Sequence, residues 1–423
     1  MKNIELAQKY QDYMVSARRY LHENPELSGR EFNTVKFIMG ELDKMGIEYI
    51  EVENGGVLGF IRGKAEGKTV LLRADCDALP VLEKENLTNS RCVWSKNEGV
   101  MHACGHDAHT AALLGAAKVL LDKKEEINGT VILCFERGEE GSGNVKYIFA
   151  YLEKNGYHID SCFGMHTHLP LGTGKVAVND TNACAGAFGF EITIEGRGGH
   201  GSRPDQAENP IDCFVAIYQR LQSLRLTKLG PFQPATYSVG QLSSGLQGNV
   251  IPQTLTFSGT MRYYDDSSVE TFKEEFRHVV DSVCEAYHCT ATYNRFAAPG
   301  FATVNDPECA SFARQVFARE LGEEAVTQVE PLMGSESYSQ YLKQWPGCFG
   351  FLGVHNPAKG TGAANHNEKF DVDEDALATG AACHATYAIE FLESDFVPTH
   401  HEKMTFSQCL KVLGRDEELK ELY

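Results

Sequence analysis

Apolar and polar positions at the start of the chain alternate with helical spacing. Leu6, Tyr10, Met14, Arg18 and Leu21 fall near one face, predicting helix at the N-terminus and a second helix over 31–45. Short apolar runs at 69–73 and 130–135 read as buried strands. Segments 108–121, rich in small residues, and 144–153 read as helices. Strands alternating with helices predict an α/β sheet with helices on both faces.

Around 182–189 the chain becomes small and glycine-rich. The pattern then runs strand 190–195, helix 210–224, strands 235–241 and 254–262, helix 268–286 and strand 290–295. That is the ferredoxin-like order. It divides the chain into 1–183, an inserted α+β domain 184–296, and a second part of the main domain, 297–423. A tail from about 394 holds a predicted helix and no expected core role. Two domains also suit 423 residues, since single cores stop growing near ~250–300.

Composition narrows the class. A hydrophobic share of 42% is that of an ordinary globular enzyme. The net charge of −19 opposes nucleic acid and anionic membranes, and it obliges any anionic substrate to find local positive charge. No apolar run reaches the ~20 residues of a membrane helix. The 13 cysteines are odd in number, and the first 20 residues have no apolar stretch of signal-peptide type. Reduced thiols in a cytoplasmic protein are therefore expected.

Four segments carry candidate chemistry. Residues 101–110 read M-H-A-C-G-H-D-A-H-T, placing a thiol and imidazoles close together before a helix, a donor set that suits Zn²⁺ or a similar ion. Residues 135–144 read F-E-R-G-E-E-G-S-G-N at the carboxyl end of a strand, where open α/β sheets gather ligands. Adjacent Glu139 and Glu140 point different ways in an extended chain, so one can bind metal while the other faces substrate. Residues 162–170, following a strand-like run, offer His166, and 365–370 offer His366.

Together these segments resemble the aminoacylase and carboxypeptidase family of two-metal amidohydrolases. The nearest branch holds hippurate hydrolase, indole-acetyl-amino-acid hydrolases and N-acetyldiaminopimelate deacetylase. The likeness covers about residues 16–392. It is supported by R-R-Y-L-H-E-N-P-E-L-S at 18–28, L-R-A-D-C-D-A-L-P at 72–80, G-R-G-G-H-G-S-R-P at 196–204, G-N-V-I-P at 248–252 and G-T-M-R at 259–262.

The resemblance implies a metallopeptidase-type catalytic domain with a mixed sheet flanked by helices, plus a ferredoxin-like lid or dimerisation domain. It implies two divalent metal ions per subunit, Zn, Mn or Co. Cys104 would bridge them, with His106 and His166 on one and Glu140 and His366 on the other, about 3.5–4 Å apart as in two-metal hydrolases. Glu139 would be the general base for the water between the metals, Asp77 would orient a ligand histidine from behind, and His200 would stabilise the oxyanion. Asn249 and Arg262 would contact substrate, Arg262 clamping its carboxylate.

The implied substrate is a small N-acyl amino acid, cleaved to a carboxylic acid and a free amino acid. Neither nucleic acid nor membrane is an expected partner. A homodimer through the insert is expected, as is closure of the insert on two hinge segments. Two other readings stand beside this one: a dipeptidase or carboxypeptidase on the same scaffold, and a catalytically silent metal-binding relative. Keeping Glu139 with all five ligands argues against the silent one. The chain departs from the branch at Glu136, Arg137 and Gly138, where smaller or apolar residues are usual, at Asp205, and in its long tail. His102, His109 and Asp107 are expected to support the site or cap the helix, not to bind metal.

Overall fold

The computed structural model describes residues 1–141, 143–399 and 403–422. An eight-stranded mixed sheet organises the chain. Its order is Glu48–Val52, Gly56–Arg62, Thr130–Glu136, Thr69–Asp75, Ser161–Gly172, Gly347–His355, Val176–Ala177 and Val326–Thr327. The four strands from Thr130–Glu136 to Gly347–His355 run parallel. Alternate residues of Thr130–Glu136 feed two apolar clusters: Val131, Leu133 and Phe135 join one, Ile132 and Cys134 the other. Side chains of a strand must divide between its two faces in this way.

One face is covered by helices Gln11–Glu23, Phe32–Met45, His106–Asp122, Pro307–Leu321 and Leu377–Glu393, which place Met14, Ile38, Leu113, Phe317 and Tyr387 in the cluster. Helix His106–Asp122 can sit deep because its residues are small. A Cβ at Gly115 would lie 2.1 Å from Met14 Sδ. The other face is covered by Val145–Lys154 and Ser339–Gln344.

A second sheet of four strands runs Ala235–Ser244, Thr254–Tyr263, Gly186–Glu195, Thr290–Gly300, every neighbour antiparallel. Helices Pro210–Thr227 and Asp266–Ala286 pack on it around Phe188, Phe190, Phe257, Phe272 and Phe276. The elements follow the six-element order read from the sequence. The segments leading in and out, Asn182–Cys184 and Thr303–Val304, pair with each other.

Three expectations need correction. The hairpin of Glu48–Val52 and Gly56–Arg62 was not anticipated. Gly56–Arg62 is buried over six of its seven residues, and such a short run lacks a diagnostic period. His166 does not follow a strand but sits within Ser161–Gly172. The tail does have a core role. Its helix Phe406–Leu413 puts Phe406 and Leu410 into a cluster of the large sheet, and Cys409 and Leu413 into the cluster of the four-stranded sheet. Among the described residues no helix is long and apolar enough to cross a membrane. All 13 cysteines are free, and Cys92 is the exposed one.

Candidate metal centre

The parallel strands end where the chemistry collects. Asp75 closes Thr69–Asp75, Glu136 closes Thr130–Glu136, and the Glu139–Glu140 turn follows directly. Gly105 caps helix His106–Asp122 with φ +91°, and a Cβ there would fall 2.6 Å from Thr167 Oγ1. Only glycine admits both the left-handed backbone and this approach. The approach brings the 104–106 segment against the strand that carries His166, and the Thr167 hydroxyl donates to Cys104 O at 3.1 Å.

Two groups of side chains form there. Cys104, His106 and His166 present ligand atoms within 4.8 Å of one another, and so do Cys104, Glu140 and His366. Cys104 belongs to both. Its Sγ lies 3.3 Å from His166 Nε2 and accepts from Asn365 Nδ2 at 3.4 Å. Glu140 Oε1 lies 3.2 Å from His366 Nε2 and 3.9 Å from His106 Nε2. A third group joins His106, Glu139 and Glu140. His366 arrives from far along the chain with φ +63°, its N–H donating to Ala103 O at 2.8 Å. Strained non-glycine backbone of this kind gathers at functional sites.

Hydrogen bonds set the tautomers. His106 Nδ1 faces Asp77 Oδ1 at 3.0 Å and His166 Nδ1 donates to Thr167 O at 2.8 Å. With Nδ1 engaged, both rings turn Nε2 toward the cluster. His106 Nε2 and Glu140 Oε1 are buried and make no hydrogen bond among the described residues, as atoms meant for a cation would. Burial, opposed by His106, pushes the Cys104 thiol up to about 12, so a bound cation is needed to hold it as thiolate. Burial also resists ionisation of Glu140, but His366 and His106 overcome it and hold that carboxyl below its usual range. The thiol, imidazoles and carboxylate fit two divalent metal ions.

His109 is not available as a ligand. Its Nε2 accepts from Thr167 N at 2.9 Å, its Nδ1 faces Asp75 Oδ1 at 2.6 Å, and burial pushes it down to about 4. Asp107 is held by Arg18 and His22, each at 2.8 Å. His102 is buried, and neither ring nitrogen has a hydrogen-bond partner among the described residues.

Glu139 is placed by groups that no sequence motif announced. Ser337 N–H donates to its Oε1 at 3.0 Å. The Ser337 hydroxyl bridges Glu136 Oε1 and Arg73 Nη2, each at 2.7 Å. Arg73 is buried and also pairs with Asp75, Glu136 and Glu336 at 2.7, 2.8 and 3.0 Å. Burial, then Glu336 and Glu140, raises Glu139 well above its ordinary value, a push that metal ions nearby would oppose. Before this turn, Arg137 pairs with buried Glu31 at 2.9 Å, and Gly138 N–H donates to the same carboxylate at 2.9 Å. Arg73 and Asp75 stand in the 72–80 block and could have been singled out as a cation and an acid at a strand end. Ser337 had no such signal, and Asn365 stands beside His366 in the 365–370 segment.

His200, Asn249 and Arg262 make no hydrogen bond or ion pair with this cluster among the described residues. His200 is exposed in a two-stranded ribbon, Gly199–His200 with Val250–Ile251, and Asn249 precedes the second strand. Arg262, on Thr254–Tyr263, is half-buried and forms no ion pair among the described residues.

Comparison with known proteins places these features in a family. The model of peptidase family M20/M25/M40 matches residues 71–390. Thermostable carboxypeptidase 2 of Saccharolobus solfataricus is 37% identical over 388 residues, covering 90% of this chain and 96% of that one. IAA-amino acid hydrolase ILR1-like 4 of Arabidopsis thaliana is 37% identical over 387 residues, covering 90% and 86%. The crystal structure of the YXEP protein of Bacillus subtilis, a dinuclear metal binding peptidase from the M20 family, superposes with a TM-score of 0.75. It is 29% identical and covers 91% of this chain and 99% of that one.

Proposed function

Because the chain belongs to peptidase family M20/M25/M40 and is a metal-dependent amidohydrolase, we propose that it cleaves the amide bond of N-acyl amino acids, releasing a carboxylic acid and a free amino acid. The observation that carries this reading is the pair of ligand groups sharing Cys104, with Glu139 beside His106 and Glu140. Cys104, His106 and His166 would hold one ion, and Cys104, Glu140 and His366 the other. When bound, the two ions act as Lewis acids and lower the pKa of water toward neutrality.

The chain's own residues do the rest. Asp77 holds the His106 ring in the tautomer that leaves Nε2 bare. Glu139, steadied by Ser337 N–H, takes a proton from the attacking water and passes it to the leaving amine. His200 Nδ1 accepts from Ser202 N–H at 3.1 Å, so the neutral ring carries its proton on Nε2. That N–H is the donor a developing oxyanion needs. Arg262, without an ion pair among the described residues, clamps the substrate carboxylate, and Asn249 contacts the substrate beside it.

His200, Asn249 and Arg262 reach substrate through closure of an inserted unit, residues 184–296, on the catalytic unit of 1–183 and 297–423. The paired crossing segments Asn182–Cys184 and Thr303–Val304 support a hinge there. A homodimer forms through the insert. Its helix Pro210–Thr227 exposes Ile211, Val215 and Tyr218, one stripe at helical spacing, which supports this face. Thirteen free thiols support a reducing, cytoplasmic setting.

The carboxypeptidase among the relatives favours a second reading, cleavage of peptides. A screen of the Zn²⁺-, Mn²⁺- or Co²⁺-loaded protein against N-acetyl, N-benzoyl and longer N-acyl amino acids, with dipeptides alongside, separates the two. Turnover of dipeptides alone favours the second, and turnover of neither class removes both.

A further inference from the structure

A cavity of about 230 Å³ opens beside Glu139, on the side of the loop that faces the insert and the tail. Four parts of the chain wall it, one of them the 335–340 segment with Glu336 and Ser337. The catalytic loop supplies Glu139 and Gly143, the last strand of the four-stranded sheet supplies Arg295, and the tail supplies Arg415. It is smaller than the ~300–1,000 Å³ of whole-ligand pockets, so it suits one arm of a substrate.

The acids in its wall are engaged. Glu336 is paired with Arg73 at 3.0 Å and accepts from Tyr338 N–H at 3.0 Å, and Glu139 Oε1 accepts from Ser337 N–H. The cations are less so. Arg295 forms no ion pair among the described residues and lies against Gly189, where a Cβ would come 2.9 Å from its Cζ. Arg415 pairs through Nε and Nη2 with Glu418, at 2.6 and 3.0 Å, but Glu418 also serves Lys146 at 2.7 Å. One carboxylate between two cations leaves positive charge over. In a chain of net −19, two arginines from separate elements converging on one small cavity is an arrangement with a use.

We propose that Arg295 and Arg415 form a subsite for a second carboxylate on the substrate, making the preferred substrate an N-acyl amino acid that carries an acidic side chain or a dicarboxylic acyl group. This rests on the amidohydrolase reading above. Two guanidinium groups recognise a carboxylate by charge-assisted hydrogen bonds that its neutral amide cannot replace. The tail is then part of the site: its helix joins both apolar clusters and holds Arg415 over the loop, where a Cβ at Gly143 would meet Arg415 Nη2 at 2.9 Å.

The test compares acids with their amides on the metal-loaded enzyme. One arm uses N-acetylglutamate against N-acetylglutamine, the other N-succinylalanine against N-succinamoylalanine. The acid-to-amide ratio of kcat/KM should be at least ~10 in one arm, as a lost charge-assisted contact would give, and that arm tells which end carries the group. Arg295→Gln and Arg415→Gln should each lower the ratio several-fold, with Arg415→Lys restoring part of it. A wild-type ratio near one in both arms, or a ratio indifferent to both variants, overturns the proposal.

Calorimetry of glutarate against glutaramate on the same proteins answers independently of turnover. Tighter glutarate binding that both glutamine variants abolish supports the subsite even if no N-acyl amino acid is hydrolysed, in which case the amidohydrolase reading fails alone. Equal binding by wild type and variants refutes the subsite.

Discussion

The carboxylate of Asp77 lies 3.0 Å from His106 Nδ1, and its second oxygen accepts the Glu140 N–H at 2.9 Å. One buried acid thus orients a candidate ligand on a helix and another in a turn. Asp77→Ala should weaken metal binding by about 10–100-fold, the usual cost of losing such a partner. Competition with a chelator of known affinity measures this. An unchanged affinity would mean that packing alone orients His106.

Glu139 and Glu140 are neighbours with different expected failures. Glu139→Gln should keep fold and metal content and lose at least ~10² in kcat, the lower bound for a general base. Glu140→Gln should instead lose one ion. Metal analysis and kinetics on both variants decide it, and the opposite pattern would mean that the two roles are exchanged.

Removing the ions should destabilise as well as inactivate. The buried Cys104 and His106 and the half-buried Glu140 would gain a partner on loading, and a site filled at 100 times its Kd contributes ~2.7 kcal/mol. Thermal unfolding should rise with added Zn²⁺ or Mn²⁺ and fall with chelator. A melting temperature insensitive to both would count against the assigned ligands.

Arg137→Ala should cost about 3 kcal/mol in urea unfolding, near the lower end for breaking a buried ion pair. It leaves Glu31, fully buried, without its cation and facing the Gly29 and Gly138 N–H groups. Paired replacement by Glu31→Gln and Arg137→Met should recover much of the loss. A single variant as stable as wild type would show that the pair is dispensable.

His22 provides a pH signature. Its ring is buried between Asp107 at 2.8 Å and Glu83 at 2.7 Å. Burial, the largest influence, and Arg18 favour the neutral ring, but the hydrogen bonds to Asp107 and Glu83 outweigh them and raise its pKa. A raised folded pKa stabilises fully below the unfolded value of about 6.5 and is lost as pH rises through the folded value. The stability gap between wild type and His22→Gln should therefore be widest in mild acid and narrow on the alkaline side. A gap that widens with pH would reverse the sign and refute the charged form.

What the sequence by itself determined is local. The period of apolar positions sets helix or strand, so the βαββαβ order of 186–300 and the helix beginning near His106 were legible. The crowding of Cys104, His106, Glu139 and Glu140 into two short segments was legible for the same reason, since few structural needs place such groups together.

What only the tertiary structure decided is which distant groups meet, because that depends on strand order and on helix faces that no local spacing encodes. His366 reaches Glu140, and Ser337 reaches Glu139, across 226 and 198 positions of chain. Which nitrogen of His106 and His166 faces the cluster depends on Asp77 and on the Thr167 carbonyl. The tail helix shows the point most plainly. Phe406, Cys409, Leu410 and Leu413 read as one amphipathic stripe, yet the fold divides them between two cores, because the helix lies where both sheets leave apolar surface to cover.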